Sequence, residues 1–182
     1  SVDELPALAL GLYGDGEDFY TLKGLVECIC KAFTLDAQFV PSQEPFLHPG
    51  RRANVVVNGE TVGYIGELHP DMAEKYDIEG VRVYVGELAL SPFYRAKIKP
   101  VRYQPLPRFP AVERDLAFIC DADMPVGEIE AAIRKAAGPL LESVTLFDVY
   151  RGAQIEAGKK SVAYSLAFRS PGSTLKDEEI TP

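Results

Sequence analysis

Residues 102–119, RYQPLPRFPAVERDLAFI, decide how this chain can fold. Pro105, Pro107 and Pro110 each lack a backbone N–H and push the preceding residue toward extended conformations. Neither a helix nor a central strand can hold that spacing, so the segment must run along a surface. After Pro110 the pattern changes, and Leu116-Ala117-Phe118-Ile119 reads as a strand. A linker therefore becomes the first strand of a second domain, and 182 residues suffice for two small domains. The predicted division is a first domain over 1–92, a basic proline-rich linker over 93–110 and a second domain over 111–182.

Positive charge gathers at the same junction. The chain has a net charge of −8, unevenly spread. Residues 1–92 hold 6 Lys and Arg against 15 Asp and Glu, whereas residues 93–182 hold 13 against 12. Within 93–120, Arg95, Lys97, Lys99, Arg102, Arg108 and Arg114 face only Glu113 and Asp115. A basic stripe on an acidic chain is a more selective sign of a polyanionic partner than a high pI. A solvated linker is the competing reading.

Several function classes fall away. No apolar run approaches the roughly 20 residues that span a bilayer. SVDELPALAL lacks the basic start and cleavage pattern of a secretory signal. Three cysteines, Cys28, Cys30 and Cys120, are too few and too odd for a disulfide framework and fit a reducing cytoplasm. Cys28 and Cys30 on one helix face two directions, which makes a poor metal clamp. His48 and His69 are the only histidines, and each precedes a proline. With Glu67 they form the one acid–base set imaginable, but no nucleophile, third ligand or phosphate loop accompanies them. Structural corners are expected there. No GxGxxG, Walker, HExxH or GxSxG pattern occurs.

The first half reads as a mainly antiparallel sheet with at least one packed helix. ALALGLY is a strand, Asp18 caps a helix over 19–33, and Phe19, Leu22, Leu25, Val26, Ile29 and Phe33 form its stripe. AQFV is a strand stopped by Pro41. Asn58-Gly59 between NVVV and TVGYIGEL is a hairpin signal. Gly63 and Gly66 predict a bulge or a close backbone approach. Pro70 opens a short helix over 70–76, and VRVYVGEL is another strand. The second half reads β-α-β-β-α: ERDLAFIC, a helix from Pro125 to Gly138-Pro139, LLESVTLFDVYRG, KKSVAYSLAFRS, and a second helix in TLKDEEI. In that last helix Thr174 is the cap, and Asp177 and Glu178 complement the dipole. One more strand would complete the ferredoxin-like split unit. The ending at Ile180-Thr181-Pro182 reads as a cut chain.

In KKSVAYSLAFRS, Val162, Tyr164, Leu166 and Phe168 alternate with Ser161, Ala163, Ser165, Ala167 and Arg169. The bulky set belongs under the helices. The Ser/Ala set would leave an open, flat, nearly featureless face, suited to close approach by RNA backbone or merely solvated. It shows no paired aromatics for stacking bases.

RFPAVERDLAF, LFDVYRG, GKKSVAYSLAFRS and TLKDEEI resemble the ferredoxin-fold anticodon-binding domain of the bacterial phenylalanyl-tRNA synthetase beta subunit. LKGLVE, LHPGRRA and GYIGELHP resemble the end of that subunit's catalytic-like domain. The resemblance implies an α+β chain: part of an antiparallel class II synthetase-like sheet, then a βαββα(β) unit without its last element. It implies an enzyme that charges tRNA(Phe) using ATP and Mg²⁺, as a cytoplasmic heterotetramer of two alpha and two beta subunits, with chemistry on alpha. This stretch would hold no catalytic residue, metal or cofactor. It would bind the anticodon stem-loop and pack against alpha, or serve subunit assembly alone. The implied tRNA contacts are Arg108, Arg114, Arg151, Lys159, Lys160 and Arg169, with Tyr150 and Phe109 as weaker stacking candidates. Asp115 and Asp148 compete by pairing with Arg114 and Arg151. An acyl-phosphate hydrolase on the same fold is disfavoured, because both asparagines, Asn54 and Asn58, lie in the first half.

Overall fold

The computed structural model describes residues 5–98, 100, 102, 103 and 105–180; Lys99 of the basic stripe lies outside them. Two compact units emerge, Ser1–Arg102 and Tyr103–Pro182. Both are built on antiparallel sheets, as the α+β reading requires.

In the first unit, β1 (Ala7–Tyr13), β2 (Ala37–Pro41), β3 (Leu47–Val57), β4 (Glu60–Leu68) and β5 (Val83–Ala89) pair in the order β1-β5-β4-β3-β2. Helix α1 (Phe19–Ala32) packs on one face. Asp18 starts it: its Oδ1 accepts the Thr21 N–H at 2.8 Å, which satisfies one of the free donors of the first turn. Leu22, Val26 and Cys30 are its buried stripe, while Leu25 turns outward and is 46% exposed, so the predicted stripe is one residue too wide. Asn58 and Gly59 take φ of 52° and 80°, the doubly left-handed turn whose twist matches the hairpin.

Gly63 is where two strands come too close for a side chain. A Cβ there would stand 1.8 Å from the Glu87 carbonyl oxygen. The β3–β4 register shifts beside it, between Val55 and Val56. Val55, Ile65, Leu88 and Tyr84 fill the core above it. The short α3 (Ser91–Tyr94) adds Phe93, buried and edge-on to Phe33 at 5.4 Å between ring centres. The first unit's core therefore reaches past residue 92, because an aromatic that fills a core position outweighs the polar character of its neighbours.

In the second unit, β6 (Val112–Asp121), β7 (Leu141–Tyr150) and β8 (Lys159–Phe168) pair in the order β6-β8-β7. Helix α4 (Val126–Ala137) follows β6 and ends at Gly138, whose φ of 71° favours glycine. Val162, Tyr164, Leu166 and Phe168 are buried with Ile129 of α4, as the alternation predicts. The predicted second helix does not form within the described residues: TLKDEEI holds only a 3-10 turn at Asp177–Glu179. Thr174 makes no cap there; instead the Lys176 N–H donates to Glu179 Oε2 at 2.8 Å. The physical reason is the short apolar supply. Leu175 and Ile180 pack on the core, and a turn that places both satisfies the segment without a helix. Of the two acidic residues assigned to the dipole, Glu178 is exposed, and the Asp177 side chain lies outside the described residues.

Candidate nucleic-acid interface

The strand register lays out the face opposite α4. Ser161, Ala163, Ser165 and Ala167 on β8 stand beside Glu113, Asp115, Ala117 and Ile119 on β6, and beside Ser143, Thr145, Asp148 and Tyr150 on β7. Directly opposed residues of an antiparallel pair share a face. The expectation of a featureless face is therefore corrected. Its middle is small and polar, but its flanking strands carry carboxylates and exposed apolar groups. Phe147 is 57% exposed and Tyr150 42%. Phe147 enters at a register shift between Leu146 and Asp148, a slip that strict alternation cannot reveal.

The cations expected to meet RNA fall into different environments. Lys160 is buried on the α4 side of the sheet, opposite Cys120, and its ammonium donates to the Met124 carbonyl. It is corrected from a solvent-facing cation to a core donor, because alternation along β8 turns it away from the open face. Lys159 is on that face, at 2.6 Å from Asp121 Oδ1, and this hydrogen bond raises its pKa above the usual lysine value. Arg169 donates from Nε to Glu142 Oε2 at 2.9 Å and from Nη1 to the Phe109 carbonyl. Arg151 is exposed and donates to the Ala122 carbonyl at 3.3 Å; it forms no ion pair with Asp148, contrary to the expected competition. Arg114 is exposed, donates to the Glu113 carbonyl at 2.9 Å, and points to the opposite side of β6 from Asp115. Arg108 is exposed and has no hydrogen-bond partner among the described residues. Phe109 is half-buried.

These residues do not form one patch. Tyr150, Arg151 and Lys159 collect where β7 turns into β8. Arg108 and Arg169 lie at the far end, and ten-residue strands separate the two groups by about 30 Å.

The histidine corners of the first unit are structural, as expected. His48 Nδ1 accepts the Gly50 N–H at 3.1 Å, and His69 Nδ1 accepts the Asp71 N–H at 3.2 Å, capping α2 (Pro70–Lys75). His48 lines a cavity of about 380 Å³ with Arg51, Glu67 and Arg82. Glu67 is buried, and its carboxylate accepts both Nε and Nη2 of Arg51. Burial works against the charge on Glu67; the Arg51 hydrogen bond and charge, with Arg82 and His48, outweigh it and hold the pKa below the carboxylate range. A carboxyl depressed in the folded state gives its full stabilisation above its unfolded pKa, about 4.3, and loses it as pH falls through the folded value. Urea unfolding of the first unit across acidic pH should therefore show stability falling below about pH 4.3. Glu67→Gln should be less stable at neutral pH, with a flatter acid limb. Parallel acid limbs for the two proteins would refute the assignment.

Comparison with known proteins agrees with both halves of this geometry. The phenylalanyl tRNA synthetase beta chain CLM domain family matches residues 1–90, and the ferredoxin-fold anticodon binding domain family matches residues 107–182. The phenylalanine–tRNA ligase beta subunit of Symbiobacterium thermophilum is 48% identical over 166 residues, 91% of this chain and 18% of the relative. That of Clostridium tetani is 42% identical over 180 residues, 98% and 22%. That of Bacillus subtilis is 43% identical over 166 residues, 90% and 20%. The chain spans about a fifth of the length of these relatives. With its two units in the order of the two matched domains, the chain belongs to the phenylalanine–tRNA ligase beta-subunit family.

Proposed function

We propose that the second unit binds the anticodon stem-loop of tRNA(Phe) across its open sheet face, as part of a phenylalanine–tRNA ligase. The observation that carries this reading is the cluster at the β7–β8 end. Exposed Tyr150 offers a flat ring beside Arg151 and Lys159, with exposed Phe147 further back on the same strand. Loop bases would stack on the aromatic surface, and the cations would meet phosphates. Arg108 and Arg169, away from that cluster, are proposed to meet the stem backbone, with Arg114, which points to the other side of the edge strand β6, reaching it around that edge. Lys159 and Arg169 each give up part of their charge to a carboxylate, so Arg151 and Arg108 contribute the larger share.

The first unit is proposed to pack against the alpha subunit of the ligase. Phenylalanine activation with ATP and Mg²⁺, the tetrameric assembly and a cytoplasmic location belong to the proposal for the whole enzyme; this stretch is proposed to supply no catalytic residue and no cofactor ligand. The ion pairs on the open face favour one competing reading, in which the unit serves assembly without touching RNA.

Titrating this chain with a tRNA(Phe) transcript at several salt concentrations tests the reading. Arg151→Ala should weaken binding and reduce the slope of log affinity against log salt by about 1. Tyr150→Ala should weaken binding by about 1–3 kcal/mol with the slope unchanged. Unchanged affinity in both variants would sink the RNA reading and leave assembly.

A further inference from the structure

The Tyr150 ring lies over Gly152, in the turn that leaves β7. A Cβ built at Gly152 would stand 2.3 Å from the Tyr150 hydroxyl oxygen, 2.6 Å from Cζ and 3.2 Å from Cε1. All three of these nearest atoms belong to that one side chain. The backbone does not ask for glycine here, because Gly152 is outside the left-handed region. Its carbonyl accepts the Ile155 N–H at 2.9 Å, a turn bond that any residue can make. What the position lacks is room for a methyl group. The hydroxyl end of the Tyr150 side chain folds back onto Gly152. Tyr150 remains 42% exposed, and its hydroxyl has no hydrogen-bond partner among the described residues. The ring occupies the space that a Cβ at Gly152 would need.

We propose that Gly152 is a positioning residue for RNA recognition: by leaving its Cβ out, it lets the Tyr150 ring lie flat against the turn and present one face to an unpaired nucleobase. The inference rests on the RNA reading above and refines it. It assigns this end of the sheet to a loop base and not to a phosphate, since the hydroxyl points at the turn and the ring face is what remains. A side chain at residue 152 would lift the ring and tilt that face away from the sheet.

The test uses the whole chain, an RNA hairpin carrying the phenylalanine anticodon loop, and a blunt RNA duplex without unpaired bases. Gly152→Ala should weaken hairpin binding about five-fold or more, with the salt slope and the urea midpoint unchanged. It should leave duplex binding as it was. In a Tyr150→Ala background the same substitution should add nothing. Tyr150→Phe removes the atom nearest the new methyl and should restore part of the binding that Gly152→Ala loses. If Tyr150→Ala weakens hairpin binding but Gly152→Ala does not, the positioning role is overturned and the RNA reading survives. If Tyr150→Ala itself has no effect, Tyr150 stacks no base and this inference fails, while the RNA reading stands or falls with Arg151→Ala. If the two substitutions add, or if Gly152→Ala lowers the urea midpoint and Tyr150→Phe restores nothing, Gly152 acts on the turn alone and the proposal is wrong.

Discussion

Tyr164→Ala is expected to cost the second unit about 3–5 kcal/mol, the range for emptying a large aromatic site. Tyr164 is the largest fully buried side chain among the described residues. Its ring lies near-parallel to Phe118, 6.3 Å between centres and 16° between planes, and its hydroxyl donates to the Val126 carbonyl at 3.1 Å, in the first turn of α4. The residue therefore joins all three strands and the helix at one point. Total stabilities of small domains are about 5–15 kcal/mol, so this one truncation removes a large share. Tyr164→Phe separates the parts: it keeps the ring and loses the hydrogen bond, for about 0.5–1.5 kcal/mol. Urea unfolding followed by circular dichroism reads both. If Tyr164→Ala cost no more than Tyr164→Phe, the sheet and α4 would have to collapse around the gap, and the joint role assigned to this ring would be wrong.

Gly63→Ala should damage the first unit by a different route. No cavity forms; instead a methyl group would meet the Glu87 carbonyl oxygen at 1.8 Å and its carbon at 2.8 Å. Both belong to backbone paired in the β4–β5 ladder, so neither can swing aside as a side chain end would. Overpacking of a well-packed core costs about 1–3 kcal/mol, and a backbone collision belongs at or above the upper end. Gly24→Ala is the control. It lies in α1 with no atom within 4 Å of a new Cβ, and should stabilise by about 0.5–1 kcal/mol through helix propensity. Opposite signs from the same substitution, read as shifts in urea midpoint, separate a glycine needed for space from one that is not. A neutral Gly63→Ala would mean that β4 and β5 slide apart cheaply.

The sequence carried the strands well, because period-two alternation and turn chemistry are local. Asn58-Gly59, the Asp18 cap and the Val162–Phe168 alternation all predicted what forms. What failed depended on partners far along the chain. TLKDEEI has helix-compatible residues, yet Leu175 and Ile180 are satisfied by a single turn against the second core. Lys160 has the sequence neighbourhood of a surface cation, and only the sheet's two-sidedness shows that it points inward. Phe147 was invisible because a register slip, not a residue type, brings it to solvent. The site was legible as a set of cations and one tyrosine. Its division into two ends of a sheet was not, since nothing local encodes which carboxylate each cation meets.

Arg169 carries a consequence for where this unit begins. One guanidinium holds the Glu142 carboxylate at the start of β7 and the Phe109 carbonyl ahead of β6, and it does so from the residue after β8. It works as a buckle that closes three separate stretches of chain at a single point. Lysine, with one ammonium and no planar fork, cannot span both acceptors in the same geometry. The working boundary of the unit is therefore set by that buckle: a chain cut after Phe109 would strand a half-buried guanidinium, whereas a cut before Arg108 would keep the clasp shut.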